Sequence, residues 1–147
     1  MHIEIRTKIM EHPHHFVVID DDALNNKICR VCIEKSYSGV AVATFTDPIA
    51  GFNHVANAYN TPGSNDQITV FLDIKMPTMD AWEFLDRFDM LDEEFKRRVK
   101  IYILSSSVDK RDMERAQANR NVVYYLIKPL TIESIRLLTL VQKKKGN

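Results

Sequence analysis

The sequence predicts an α/β fold, a doubly wound parallel sheet of five strands with helices on both faces. Three observations carry that reading. Short apolar runs alternate five times with helical periodicities. Parallel neighbours need crossover connections, which the intervening helices supply. The run "ITVFLD", 68–73, is apolar at almost every position and ends in a carboxylate, as a strand covered on both faces must read. In such sheets ligands bind at the carboxyl ends of the strands, where the strand order switches.

The first strand is read over Phe16 to Ile19 and runs into Asp20, Asp21 and Asp22. Leu24, Ile28, Val31 and Cys32 recur behind them at helical spacing, so the acidic trio sits on a strand-to-helix turn with Asp22 as the N-cap. Val40 to Phe45 forms the second strand. Asp47 and Pro48 then supply a cap and a first-turn proline for a helix carrying Ile49, Phe52, Ala56 and Tyr59. "NTPGSND" is turn chemistry, and the third strand, Ile68 to Asp73, follows it. Trp82, Phe84, Leu85, Phe88 and Leu91 mark a third helix that runs out into "DEEFKRRVK". "KIYILSSS" is the fourth strand, a polar helix around Met113 and Ala116 the fourth helix, and "VVYYLIK" the fifth strand, ending in Lys128. Thr131 caps a last helix with Ile132, Ile135 and Leu138, which frays into "KKKGN". Residues 1–14 read as a leader, with His12, His14 and His15 solvated rather than metal-binding, and 144–147 as a tail. "KRRVK" and "KKK" read as solvated helix ends.

Length and charge exclude much else. A chain of 147 residues fits one domain. Lys plus Arg and Asp plus Glu are equal at 20 each, so no global field favours direct nucleic-acid or membrane binding. No apolar run reaches membrane length, and the reading is cytoplasmic. Cys29 and Cys32 form a CxxC pair inside a helical pattern with no second pair to complete a zinc site, so they read as core-facing thiols. No glycine-rich turn follows the first strand, which excludes a dinucleotide site. Met76, Met79 and Trp82 read as packing residues.

The strand ends carry the chemistry. The first strand delivers Asp20 and Asp21, the third Asp73, the fourth Ser105 and the fifth Lys128. Two carboxylates about 4 Å apart repel by roughly 4 kcal/mol at an effective dielectric of about 20, so three of them take up protons or recruit a cation. Hard oxygen ligands in an incomplete shell suit Mg²⁺. A carboxylate beside such an ion can attack a phosphoryl group, with Lys128 and Ser105 placed for its oxygens.

"VVIDDD", "VFLDIKMPTMD", "YILSSS" and "YLIKPL", in that order, resemble the receiver domains of two-component response regulators over about Phe16 to Leu140. The resemblance implies a flavodoxin-like sheet of order 2-1-3-4-5 and a receiver domain over 15–143, of the stand-alone type similar to the chemotaxis response regulator. It implies Asp73 as phosphoacceptor, Asp20, Asp21, Asp73 and the Lys75 backbone carbonyl as Mg²⁺ ligands, and Ser105 and Lys128 as phosphoryl contacts. Ser105 and Tyr125 become switch residues, and Pro129 follows a cis peptide. The implied donor is a histidine kinase or histidine phosphotransfer protein, and the output is an unknown downstream protein reached through the face of the fourth helix, fifth strand and fifth helix. Such a chain is a signalling switch rather than an enzyme. Oligomeric state and a phosphorylation-independent binding module stay open. A haloacid-dehalogenase-type phosphohydrolase needs a second Asp where Lys75 stands. Ala81 replaces a glycine common in the family and asks for a local adjustment, and Asn119 and Asn121 are read as left-handed residues ending the fourth helix. Lys75 and Ser107 hold positions that, in the family, influence hydrolysis of the acyl phosphate.

Overall fold

The computed structural model describes residues 8–9 and 14–145, with side chains over 14–138. The elements run β1 (Lys8–Ile9), β2 (His14–Ile19), α1 (Ala23–Ser36), β3 (Tyr37–Ser38), β4 (Ala41–Phe45), α2 (Pro48–Ala58) and β5 (Gln67–Leu72). They continue as α3 (Ala81–Asp89), α4 (Glu93–Lys96), β6 (Val99–Ser105), α5 (Lys110–Ala118), β7 (Val122–Ile127) and α6 (Ile132–Lys145). The main sheet has the order β4-β2-β5-β6-β7, with every pair parallel. Renumbered over these five strands, that is the expected 2-1-3-4-5. A second sheet, the parallel pair β1-β3, was not foreseen.

Alternation along the strands divides the core. Phe16, Val18, Phe71, Tyr102 and Leu104 face α1 and α6, where Cys29, Ile33, Ile135 and Leu138 close over them. Val17, Ile19, Val70, Leu72, Ile101 and Ile103 face α2, α3 and α5 through Val55, Phe84, Leu85, Phe88 and Ala116. Side chains that alternate across a pleated strand explain why both faces are apolar and both need helices. Gly51 lets α2 lie close on the sheet: a Cβ there would stand 2.9 Å from Cδ1 and Cγ1 of Ile19.

The caps behave as read. Asp22 accepts from the backbone of Leu24 and Asn25, Asp47 from Ile49 with Pro48 in the first turn, and Thr131 Oγ1 from Ser134. Cys29 is buried, and burial pushes its thiol up to about 12; Cys32 Sγ donates to the Leu130 carbonyl. Both are free thiols, packed as expected.

Five expectations need correction. The first strand begins at His14, because His14 Nε2 meets Thr69 Oγ1 at 2.8 Å and its ring stacks on Phe16, while His15 Nε2 meets Asp66 Oδ2 at 2.9 Å. These two histidines are sheet residues rather than a solvated leader; His12 lies outside the described residues. The apolar stripe of α1 faces outward, with Leu24 66% exposed, and the inner face is Asn25, Asn26, Cys29 and Ile33. Lys96 is buried, its ammonium held by Glu93 and by the Asp89 carbonyl, each at 2.8 Å, so "KRRVK" is not a solvated end. Arg98 likewise donates to the carbonyls of Tyr59 and Asp66, tying down the long loop before β5. Asn119 ends α5 in extended conformation (φ −84°, ψ 122°), with its side chain accepting from the Asn121 backbone. Finally, Ala81 needs no glycine-like backbone, since it is the first residue of α3 and its N–H reaches the Ile74 carbonyl at 3.0 Å. The unusual backbone lies instead at Thr78, φ 70°, where the Met79 N–H donates to the Pro77 carbonyl at 2.8 Å and closes a three-residue γ-turn.

Candidate functional site

The parallel register brings the strand ends to one rim. Ile19 pairs with Leu72 and with Phe45, and Ser105 with Ile127, so Asp20, Asp73 and Lys128 each stand one residue past the last ladder pair. Backbone bonds hold them there: Asp73 N–H to the Ile19 carbonyl at 3.0 Å, Asp20 N–H to Phe45 at 3.0 Å and Lys128 N–H to Ser105 at 2.9 Å. The Lys128-Pro129 peptide is cis.

Asp20, Asp21 and Asp73 each place a carboxylate oxygen within 4.8 Å of the others. Asp20 is buried and receives three donors. The Asp22 N–H reaches Oδ1 at 2.9 Å, while Asn25 Nδ2, at 2.8 Å, and Lys128 Nζ, at 2.6 Å, share Oδ2. Lys128 Nζ lies 3.5 Å from Asp73 Oδ1. Burial, and then the Asp20 charge, push the Asp73 carboxyl up from 3.8 to about 6, against the pull of Lys128. Burial disfavours the Lys128 ammonium, yet its bonds to the two carboxylates outweigh that and hold its pKa above the ordinary value. A pocket of crowded, hard oxygen donors with one ammonium between two of them has the donor chemistry of a divalent-cation site.

Ser105 is buried at the end of β6, and its Oγ accepts from the Ser107 N–H at 3.1 Å. Ser107 Oγ donates to Asp112 Oδ2 at 2.9 Å, and its carbonyl accepts from Tyr125 OH at 2.7 Å. Tyr125 packs against the α2/α3 core and shares with Met113, Gln117, Tyr124 and Ile127 the lining of a groove of about 480 Å³ between α5 and β7. Lys75 is exposed two residues past Asp73, and the Asp109 carboxyl is held down mainly by its hydrogen bonds from Arg111, with the Lys75 charge adding to them. Thus the structure brings Asp20, Asp21, Asp73 and Lys128 together, and it links Ser105 to Tyr125 through the backbone of Ser107.

Asn25 and Asn26 were missed. Asn26 Nδ2 donates to the Asp20 carbonyl at 3.0 Å and to the Phe45 carbonyl at 3.2 Å, and its buried Oδ1 has no partner among the described residues. The available signal was their spacing to Cys29 and Ile33, a second helical stripe that polarity disguised.

A family model described as the response regulator receiver domain matches residues 16–140. Among solved structures, a response regulator receiver protein from Dyadobacter fermentans is 28% identical with a TM-score of 0.74, covering 85% of this chain and 94% of its own. A two-component response regulator from Cytophaga hutchinsonii is 27% identical with a TM-score of 0.76, covering 90% and 99%. A chemotaxis response regulator of Vibrio cholerae, 18% identical with a TM-score of 0.68 over 88% and 98%, shares the fold. A search of curated proteins finds no match.

Proposed function

This chain belongs to the response regulator receiver domain family, and from that premise we propose that it accepts a phosphoryl group on Asp73 and switches a protein-binding face. The observation that carries the proposal is the Lys128 ammonium lying between Asp20, at 2.6 Å, and Asp73, at 3.5 Å, beside a three-carboxylate cluster. That cluster fits a bound Mg²⁺, with Asp20, Asp21, Asp73 and the backbone carbonyl of Lys75 as its ligands. When bound, the ion neutralises the carboxylates and a phosphoryl oxygen.

The remaining steps belong to the chain. An Asp73 carboxylate oxygen attacks the phosphorus of a phosphohistidine on a histidine kinase or phosphotransfer protein. The new O–P bond forms as the P–N bond breaks, and the imidazole leaves with the electron pair and takes a proton. Lys128 and Ser105 each meet a phosphoryl oxygen, by charge and by hydrogen bond. Ser105 then gives up the Ser107 N–H, which disturbs the backbone carbonyl that Tyr125 holds. The signal passes to α5, β7 and α6, where a downstream protein binds. Such a chain is a signalling switch in the cytoplasm.

Intact-protein mass spectrometry after incubation with acetyl phosphate and Mg²⁺ tests this. One phosphoryl adduct is expected in the wild type and none in Asp73→Asn or in metal-free buffer. Absence of the adduct, together with failure to bind beryllium fluoride, would point instead to a phosphorylation-independent binding module.

A further inference from the structure

We propose that Asn25 is a positioning residue for phosphotransfer: it shares Asp20 Oδ2 with Lys128, so that the ammonium can leave that oxygen for a phosphoryl group on Asp73. The proposal rests on the function proposed above.

Asn25 sits on the inner face of α1, 7% exposed, and a buried amide is tolerated only where its hydrogen bonds are made. Its Nδ2 bond to Asp20 Oδ2 is 2.8 Å long. Lys128 holds the same oxygen at 2.6 Å and stands farther, at 3.5 Å, from Asp73. In this arrangement the ammonium is committed to Asp20, and a phosphoryl oxygen must draw it away. Losing a donor from a carboxylate that is only 2% exposed is expensive unless another donor remains. Asn25 is that remaining donor on Oδ2, and the Asp22 N–H, at 2.9 Å, covers Oδ1. Asn26 keeps Asn25 in place, because its amide ties α1 to the carbonyls of Asp20 and Phe45. Without the Asn25 amide, Lys128 would be the sole donor on Oδ2, held more tightly and less available to the phosphoryl group.

Calorimetric titration of the full chain tests this with two probes, Mg²⁺ alone and beryllium fluoride at saturating Mg²⁺. The variants are Asn25→Leu, Asn25→Ala, Lys128→Met and the double Asn25→Leu/Lys128→Met, with thermal melting confirming that each is folded. Asn25→Leu and Asn25→Ala are both expected to weaken beryllium fluoride binding by about tenfold, the scale of one hydrogen bond to a charged group, with Mg²⁺ affinity changed by less than about threefold. In the Lys128→Met background, Asn25→Leu should add less than about threefold, because there is no ammonium left to release. Full additivity of the two losses would overturn the proposal, as would unchanged mimic binding in folded Asn25 variants. A loss confined to Mg²⁺ affinity would overturn it too. Failure of the wild type to bind the mimic would instead overturn the function on which the proposal rests.

Discussion

Asp73 is expected to destabilise the metal-free protein at neutral pH, and replacing it with asparagine should reveal the penalty. Its side chain is 12% exposed, and its carboxyl rises from 3.8 to about 6 on folding, chiefly through burial and the Asp20 charge. The folded form therefore holds the proton more tightly than the unfolded chain. The contribution of Asp73 to stability is fully present below 3.8 and is lost as pH rises through about 6. At about 1.36 kcal/mol for each tenfold change in proton affinity, the penalty at pH 8 is of order 3 kcal/mol. Urea unfolding of wild type and Asp73→Asn in chelator, at points from about pH 4 to about pH 8, measures it. The two curves should nearly coincide at the acid end, and the variant should become more stable by a few kcal/mol at the alkaline end. Saturating Mg²⁺ should narrow the gap by stabilising the wild type. A variant as stable as the wild type at pH 8, or less stable, would show that Lys128 fully compensates the crowding of Asp20 and Asp73, and the reasoning would fail.

Other substitutions probe the scaffold. Thr78→Gly should raise stability by about 1 kcal/mol in the same unfolding assay, because a β-branched residue is held at φ 70° in an exposed turn. Gly51→Ala should lower it by roughly 1–3 kcal/mol, since the new Cβ meets Ile19 Cδ1 and Cγ1 at 2.9 Å; Ile19→Val should recover part of the loss. His14, lowered to about 4 by burial first and then by the charges of His15 and Lys100, contributes stability that is present above 6.5 and lost as pH falls through about 4. His14→Gln should therefore flatten the acid limb of the stability profile, and an unchanged slope would deny His14 that role.

The sheet and the rim were legible for one physical reason: a buried parallel strand must be apolar, so the first polar residue after it announces the rim. Asp20, Asp73, Ser105 and Lys128 were found in this way, and parallel register put the three charged ones together. The orientation of α1 was not legible by that logic. Helical period identifies a stripe, and Leu24, Ile28 and Val31 are a better apolar stripe than the one that packs inward. Asn25 and Asn26 take the inner positions because their amides serve Asp20 and two strand-end carbonyls, a gain no hydropathy pattern expresses. His14 and His15 hid the start of β2 for a related cause, since their partners Thr69 and Asp66 are more than fifty residues away. The helix α4 is a single turn, too short for periodicity, yet it carries the buried Lys96 and one of its two carboxylate partners, Glu93; the other, Asp89, ends α3.

Those partners have a mechanical consequence. Asp89, at the end of α3, accepts from Arg120 Nε at 2.8 Å and from Asn121 Nδ2 at 2.9 Å, and Arg120 also reaches Glu93 at 3.3 Å. Hydrogen bonds from Asn121 and Arg120 hold the Asp89 carboxyl down at about 2, so the clamp stays charged throughout the physiological range. It grips the chain just past the last turn of α5. At the opposite end of that helix, near Ser105, the restraints are the Ser107–Asp112 hydrogen bond and the Asp109 N–H on Ser107 Oγ, and midway Arg115 rests over the Trp82 ring at 4.6 Å. The helix is thus pinned beyond residue 118 by the Asp89 clamp and near its end by buried Ala116, and held more lightly where it begins. A displacement at Ser107 is therefore expected to be largest at the N-terminal end of α5 and to be damped before Ala116, which is buried in the core. Because Arg115 rests on the indole of the only tryptophan in the chain, such a displacement should be readable in the fluorescence of Trp82.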